Sequence, residues 1–149
     1  MDDLRMEQKQ LLLTLLWEEA KTAETVYLSQ KEKESVVRNL PEFVNKLVLL
    51  LNAGLVLNSA FERTITESLR FREGDNDYFI NRIKEIYVSV KTTNSSINEE
   101  FRKFAKENGT MELMRVSNIV NDNINKGVEL TEKLQRESET LWINRKKNC

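Results

Sequence analysis

Residues 40–67 read LPEFVNKLVLLLNAGLVLNSAFERTITE, and this stretch decides the fold. Pro41 stands near a helix start, the run over residues 43–51 is almost continuously apolar, and Gly54 stops it. Asn58 then supplies a capping side chain for a new start. Two helices joined by a tight turn follow, with Gly54 in the left-handed region where a Cβ would be strained.

In the first of these helices Leu40, Phe43, Val44, Leu47, Leu50 and Leu51 fall at helical spacing, and Val48 and Leu49 lie on what should be the outer face. An apolar surface wrapping most of the way round predicts burial on several sides and a central place in the bundle. Upstream, Leu12, Leu16, Ala20, Ala23 and Tyr27 mark an amphipathic helix over about residues 3–30. The charged block QKEKES at residues 30–35 lacks apolar spacing and is read as a hinge. Domain bounds follow: residues 1–38 as N-terminal helix and linker, and residues 39–149 as the bundle.

Downstream, Phe61, Ile65 and Leu69 give the second helix of the hairpin one apolar edge. GDND at residues 74–77 is a turn followed by an N-cap, and Phe79, Ile83, Ile86, Tyr87 and Val90 mark the next helix. Phe101, Phe104 and Ala105 form a short helix that stops at Asn108 and Gly109. Leu113, Val116, Val120 and Ile124 form another, ending at Gly127, and Leu130, Leu134, Leu141 and Trp142 stripe the last. No stretch alternates with period two. The class is all-α: a compact antiparallel bundle of about six helices plus an N-terminal helix, with Phe43, Leu47, Leu50, Leu51, Phe61, Ile83, Phe101 and Val120 as its core.

One local grammar occurs three times, as Gly54-x-x-Leu57-Asn58-x-x-Phe61, Asn94-x-x-Ile97-Asn98-x-x-Phe101 and Gly127-x-x-Leu130-Thr131-x-x-Leu134. Each joins a residue tolerant of left-handed φ (Gly54, Asn94, Gly127), an apolar anchor and a capping side chain (Asn58, Asn98, Thr131). Three helical hairpins are implied. Their unequal spacing argues against a solenoid, whose repeats keep a fixed period.

Composition narrows the function. Across 149 residues, 23 basic and 24 acidic side chains give a net charge of -1 and no global field toward nucleic acid or an anionic membrane. Without histidine, imidazole acid–base catalysis and Glu-x-x-His metal sites are excluded. The lone Cys149 has no histidine partner, which argues against a nucleophile, and lone cysteine usage suits a reducing compartment. Asp75 and Asp77 are spaced like the start of a calcium loop, yet the later glycine and glutamate are missing, so they read as a turn. Glu18/Glu19 and Glu99/Glu100 read as solvated surface. The apolar run at residues 11–16 reads first as core packing of the first helix, and otherwise as a partner-binding or self-association stripe.

The run LPEFVNKLVLLLNAGLVLNSAFERT resembles the cytoplasmic domain of the F-protein family of type II secretion systems, and most closely its relatives in Tad-type and type IV pilus machines. The residues that carry the resemblance are Leu40-Pro41, Ala53-Gly54-Leu55 and Ala60-Phe61-Glu62-Arg63. INEEFRKFAKENG at residues 97–109 and KGVELTEKLQRESETLWINRKK at residues 126–147 are similar to the family's later helices. Asn94 departs from the pattern, standing where the family's middle turn has glycine.

The resemblance implies a non-enzymatic domain without cofactor or metal, facing the cytoplasm and held to the inner membrane by segments outside residues 1–149. Implied partners are an assembly ATPase, pilin or pseudopilin subunits, other inner-membrane machine components and further copies of itself, with Glu62 and Arg63 as partner-binding residues. The alternatives are a free-standing helical adaptor or sporulation-related protein sharing the domain and, least in accord with the missing chemistry, an enzyme.

Overall fold

The computed structural model describes residues 5–72 and 74–147, without the side chains of residues 25, 26 and 28. Cys149, and any expectation about its reactivity, lies outside them. Six helices account for the described chain: α1 (Met6–Asn52), α2 (Leu57–Phe71), α3 (Tyr78–Thr93), α4 (Ile97–Asn108), α5 (Met111–Asp122) and α6 (Gly127–Lys147). No strand occurs among the described residues, so the all-α class holds.

α1 corrects two sequence expectations. It runs unbroken through residues 30–35, where a hinge was expected, and Pro41 lies inside it rather than near its start. The physical reason is that Lys31, Glu32, Lys33 and Glu34 are good helix formers; solvated charge lacks an apolar stripe but does not break a helix. Pro41 removes one intrahelical hydrogen bond, at a cost of about 3 kcal/mol in a helix interior. Its ring is buried. Burial of the ring and the bonds of Ser35 and Asn39 to Asp77 offset that cost.

The chain divides into two units, Met1–Lys31 and Glu32–Cys149, a division that falls ahead of the residue-38 boundary drawn from sequence. In the first, every described side chain over residues 5–24 is exposed. Leu11, Leu12, Leu13, Leu15, Leu16 and Trp17 keep between 50% and 66% of their surface, so the expected core packing of this segment is not found. At 3.6 residues per turn, seven consecutive residues circle the helix almost twice, and their side chains point in nearly every direction rather than along one stripe.

The second unit holds the core. From α1, Val36, Leu40, Phe43, Val44, Leu47 and Val48 face inward at steps of three and four, while Leu49 is 59% exposed. Burial is therefore one-sided here, although broad, because Glu42, Asn45 and Leu49 share the solvent side. Phe61, Ile83, Phe101 and Val120 are buried, and Leu50 and Leu51 are half-buried against the same cluster. Five phenylalanines interlock the helices. Phe43 lies 6.1 Å from Phe101 in a stacked arrangement, 5.5 Å from Phe79 edge-on and 6.4 Å from Phe61. Phe104 meets Phe101 at 6.3 Å and Phe79 at 6.0 Å. Successive helices from α2 to α6 pack on one another, and α2 also packs on α4.

The links between helices differ from the thrice-repeated grammar in detail. After α1, the amide of Leu55 donates to the carbonyl of Leu50 at 3.1 Å and that of Gly54 to Leu51 at 3.0 Å, a Schellman ending with Gly54 at φ +99°. Asn94 ends α3 in the left-handed region at φ 59°, and Gly109 ends α4 at φ 76°. Gly127 does not share this conformation: it is the first residue of α6. Buried Asn123 replaces it, its Nδ2 donating to the Ile119 carbonyl at 2.9 Å while its own carbonyl accepts from the Lys126 amide at 2.9 Å. The end of α5 is thus satisfied without a left-handed residue. Ile124, expected inside that helix, lies beyond it.

The expected caps are displaced as well. Asn58 and Asn98 are the second residues of α2 and α4, whose N-caps are Val56 and Ser96, and Thr131 lies inside α6 with its hydroxyl donating to the Gly127 carbonyl at 2.9 Å. Each helix begins at or before the apolar anchor of its link, which moves the polar residue into the first turns.

The two glycines should therefore respond to substitution with opposite sign. Gly54→Val forces a β-branched residue into the left-handed region and should lower stability by about 1 kcal/mol or more. Gly127→Ala meets open space in a helical position and should leave stability unchanged or raise it, by up to about 1 kcal/mol. Chemical denaturation of both variants reads this directly. Equal losses at the two positions would remove the turn assignments.

Candidate functional site

Two places in the second unit gather polar or concave surface. The first is a polar junction where α1 meets the link between α2 and α3. The Asp77 carboxylate accepts from the Ser35 hydroxyl at 2.9 Å, from Arg38 at 2.8 Å and from Asn39 Nδ2 at 2.8 Å. Ser35 Oγ in turn accepts from the backbone amide of Phe79 at 3.0 Å. Arg72 donates to Asn39 Oδ1 at 2.8 Å and is bonded to Asp75.

Asp77 stands at the N-cap of α3 but makes no side-chain cap to its own helix. The first turn of α3 is satisfied instead by a serine from α1, and Asp77 holds that serine. A carboxylate held by three donors is a fastening rather than a free base. Asp75 pairs with Arg72, and the guanidinium is held charged, chiefly by the hydrogen bond to that carboxylate and against the cost of partial burial. Ser35 and Asn39, four residues apart beside Val36 and Leu40, were the available sequence signal: polar residues extending a buried stripe.

The second place is a groove of about 620 Å³ between the α1–α2 link and the α5–α6 link. Leu51, Leu55 and Val56 form one wall, and Ile124, Val128 and Leu130 the other. Val56 and Val128 are 70% and 75% exposed. Glu132 is the one ionisable side chain among its described lining residues, so the groove offers apolar contact with a polar edge. Gly54, Gly127 and Thr131, from two copies of the repeated grammar, lie together here. Asn58, Asn94 and Asn98 do not line it. Asn98 instead reaches Asn121 of α5 at 3.4 Å.

Glu62 and Arg63, expected to bind a partner, sit on the outer side of α2. Glu62 is bonded by Lys91 of α3 at 2.6 Å, and Arg63 by Glu67 at 3.1 Å within its own helix. The carboxylate at this distance raises the Lys91 pKa. Among the described residues, no group of three or more His, Cys, Asp or Glu side chains converges on one point.

Tyr78 is the titratable side chain whose environment gives a pH prediction. Burial beside Phe104, at 6.0 Å between rings, raises its pKa above the ordinary value of 10.0. The unfolded chain then loses the phenolic proton at lower pH than the folded one. Stability from this group is complete below about pH 10 and falls as pH rises toward the folded pKa. Tyr78→Phe should flatten the alkaline fall in melting temperature above pH 10, and an identical fall in the variant would remove this assignment.

No family model, curated protein or solved structure matches the chain.

Proposed function

We propose that the chain is the cytoplasmic domain of an inner-membrane platform protein of the type II secretion F-protein kind, coupling an assembly ATPase to the addition of pilin or pseudopilin subunits. The observation that supports this reading is the meeting of Gly54-Leu55 and Gly127-x-x-Leu130, two stretches of the resemblance far apart in sequence, on one groove. Ala60 and Phe61 of the same pattern are buried, while Glu62 and Arg63 face outward.

The mechanism is mechanical. A close-packed interior has low compressibility and transmits displacement across its width. Interlocked phenylalanines from α1, α2, α3 and α4 make such an interior. Motion of an ATPase on one surface then reaches pilin-type subunits on another, with no covalent step in this domain. No helix among the described residues is long and apolar enough to cross a membrane, so the proposal places the spanning segments outside residues 1–149. After Glu139 the chain carries Arg145, Lys146 and Lys147 without an acid, the charge pattern of a cytoplasmic flank.

Reading the gene beyond codon 149 tests the proposal. The expected result is an apolar stretch of about 20 residues soon after Cys149. A stop codon there, with no such stretch ahead of Met1, would overturn the platform reading in favour of a free-standing adaptor.

A further inference from the structure

The exposed leucines of the first unit carry an inference that goes beyond the platform reading and does not rest on it. Six large apolar side chains within residues 11–17 each keep half or more of their surface. Together they leave on the order of 600 Å² of apolar surface in water, spread around the helix, as much as monomeric proteins commonly leave uncovered in their largest patch.

We infer that residues 5–23 pair with the same segment of a second copy of this chain, antiparallel and centred on Thr14. Reversed about Thr14, the sequence complements itself: Leu12 comes opposite Leu16 in the seam, with Leu13 and Leu15 on its two flanks. The same register sets Lys9 opposite Glu19 at both ends of the leucine layers, since a two-fold axis repeats every contact. In heptad terms Lys9, Leu16 and Ala23 fall at one seam position and Arg5, Leu12 and Glu19 at the other. An antiparallel pair layers each against its opposite number. Arg5 meets Ala23, a long side chain over a small one.

A parallel pair in register sets Lys9 beside Lys9 and Glu19 beside Glu19, which like-charge repulsion disfavours. Thr14 lies on the far side of the helix, where its hydroxyl donates to the Gln10 carbonyl at 2.9 Å and asks for no partner. A lipid surface is the weaker occupant. Over residues 5–23 Arg5, Lys9 and Lys21 are matched by Glu7, Glu18 and Glu19, so no net positive charge draws the segment to anionic headgroups. An isologous helix pair covers Leu12 and Leu16 in the seam, flanks them with Leu13 and Leu15, and matches Lys9 to Glu19 without another molecule.

Sedimentation equilibrium of the 149-residue chain should show a reversible species of twice the 17.5 kDa monomer mass. L12A/L16A should raise its dissociation constant about 100-fold or more, with an unchanged circular dichroism spectrum for the monomer. K9E and E19K should each weaken association, and the K9E/E19K double variant should restore it. Orientation is read in a C149S background by mixing two single-cysteine variants. K9C with E19C should cross-link on oxidation, and neither variant should cross-link alone. A chain that stays monomeric, binds anionic phospholipid vesicles as a monomer, or cross-links with K9C alone overturns the pairing.

Discussion

Phe43→Ala should destabilise the folded chain by about 3–5 kcal/mol. Phe43 is 2% exposed and is the shared neighbour of Phe61, Phe79 and Phe101. Removing its ring takes one member from three aromatic pairs at once, beyond the burial it forfeits. The void opens where α1, α2, α3 and α4 meet, so collapse of any one helix into it strains the others. Leu49→Ala, in the same helix but 59% exposed, should change stability by no more than about 0.5 kcal/mol. Urea denaturation of both variants measures the difference. A Phe43→Ala loss below about 1 kcal/mol would mean that the phenylalanines do not form one shared core.

Asp77→Ala should cost about 2–4 kcal/mol, by a different route. The side chains of Ser35 and Asn39 are almost fully buried, and both donate to this carboxylate. Without it they lose a charged acceptor, and Ser35 is no longer held under the Phe79 amide. Arg38 contributes little to the total because its side chain is 55% exposed. Glu62→Ala is the control. Its partner Lys91 is half exposed, and its loss should cost no more than about 1 kcal/mol. Equal effects at Asp77 and Glu62 would mean that the junction is ordinary surface.

These two sites differ in how far the sequence reveals them. The phenylalanines recur at helical spacing with their neighbours, and such periodicity is what makes the all-α class and the apolar faces readable from residues alone. Asp77 reads as a local N-cap because capping is a short-range rule. Its partners Ser35 and Asn39 lie 42 and 38 residues away, and no local pattern predicts such a bond.

The same contrast explains α1. Its charged stretch at residues 30–35 reads as a hinge from sequence because no apolar stripe runs through it, yet helix formers without glycine or proline continue a helix that is anchored further along. Pro41 near a helix start is a sound local expectation, overridden by burial of its ring and by the tertiary bonds of Ser35 and Asn39 to Asp77. At residues 11–17 hydrophobicity was legible and its destination was not. Composition shows that leucines seek cover; which surface covers them depends on packing that this segment does not find within its own unit.

The central functional claim, that this helical domain couples an assembly ATPase to fibre or pseudopilus growth, meets its most direct test in cells. Deleting the gene and restoring it in trans should abolish and then recover surface pilus fibres or secreted substrate, with the levels of ATPase and pilin unchanged. Deletion strains that assemble fibres and secrete at wild-type levels would contradict the account.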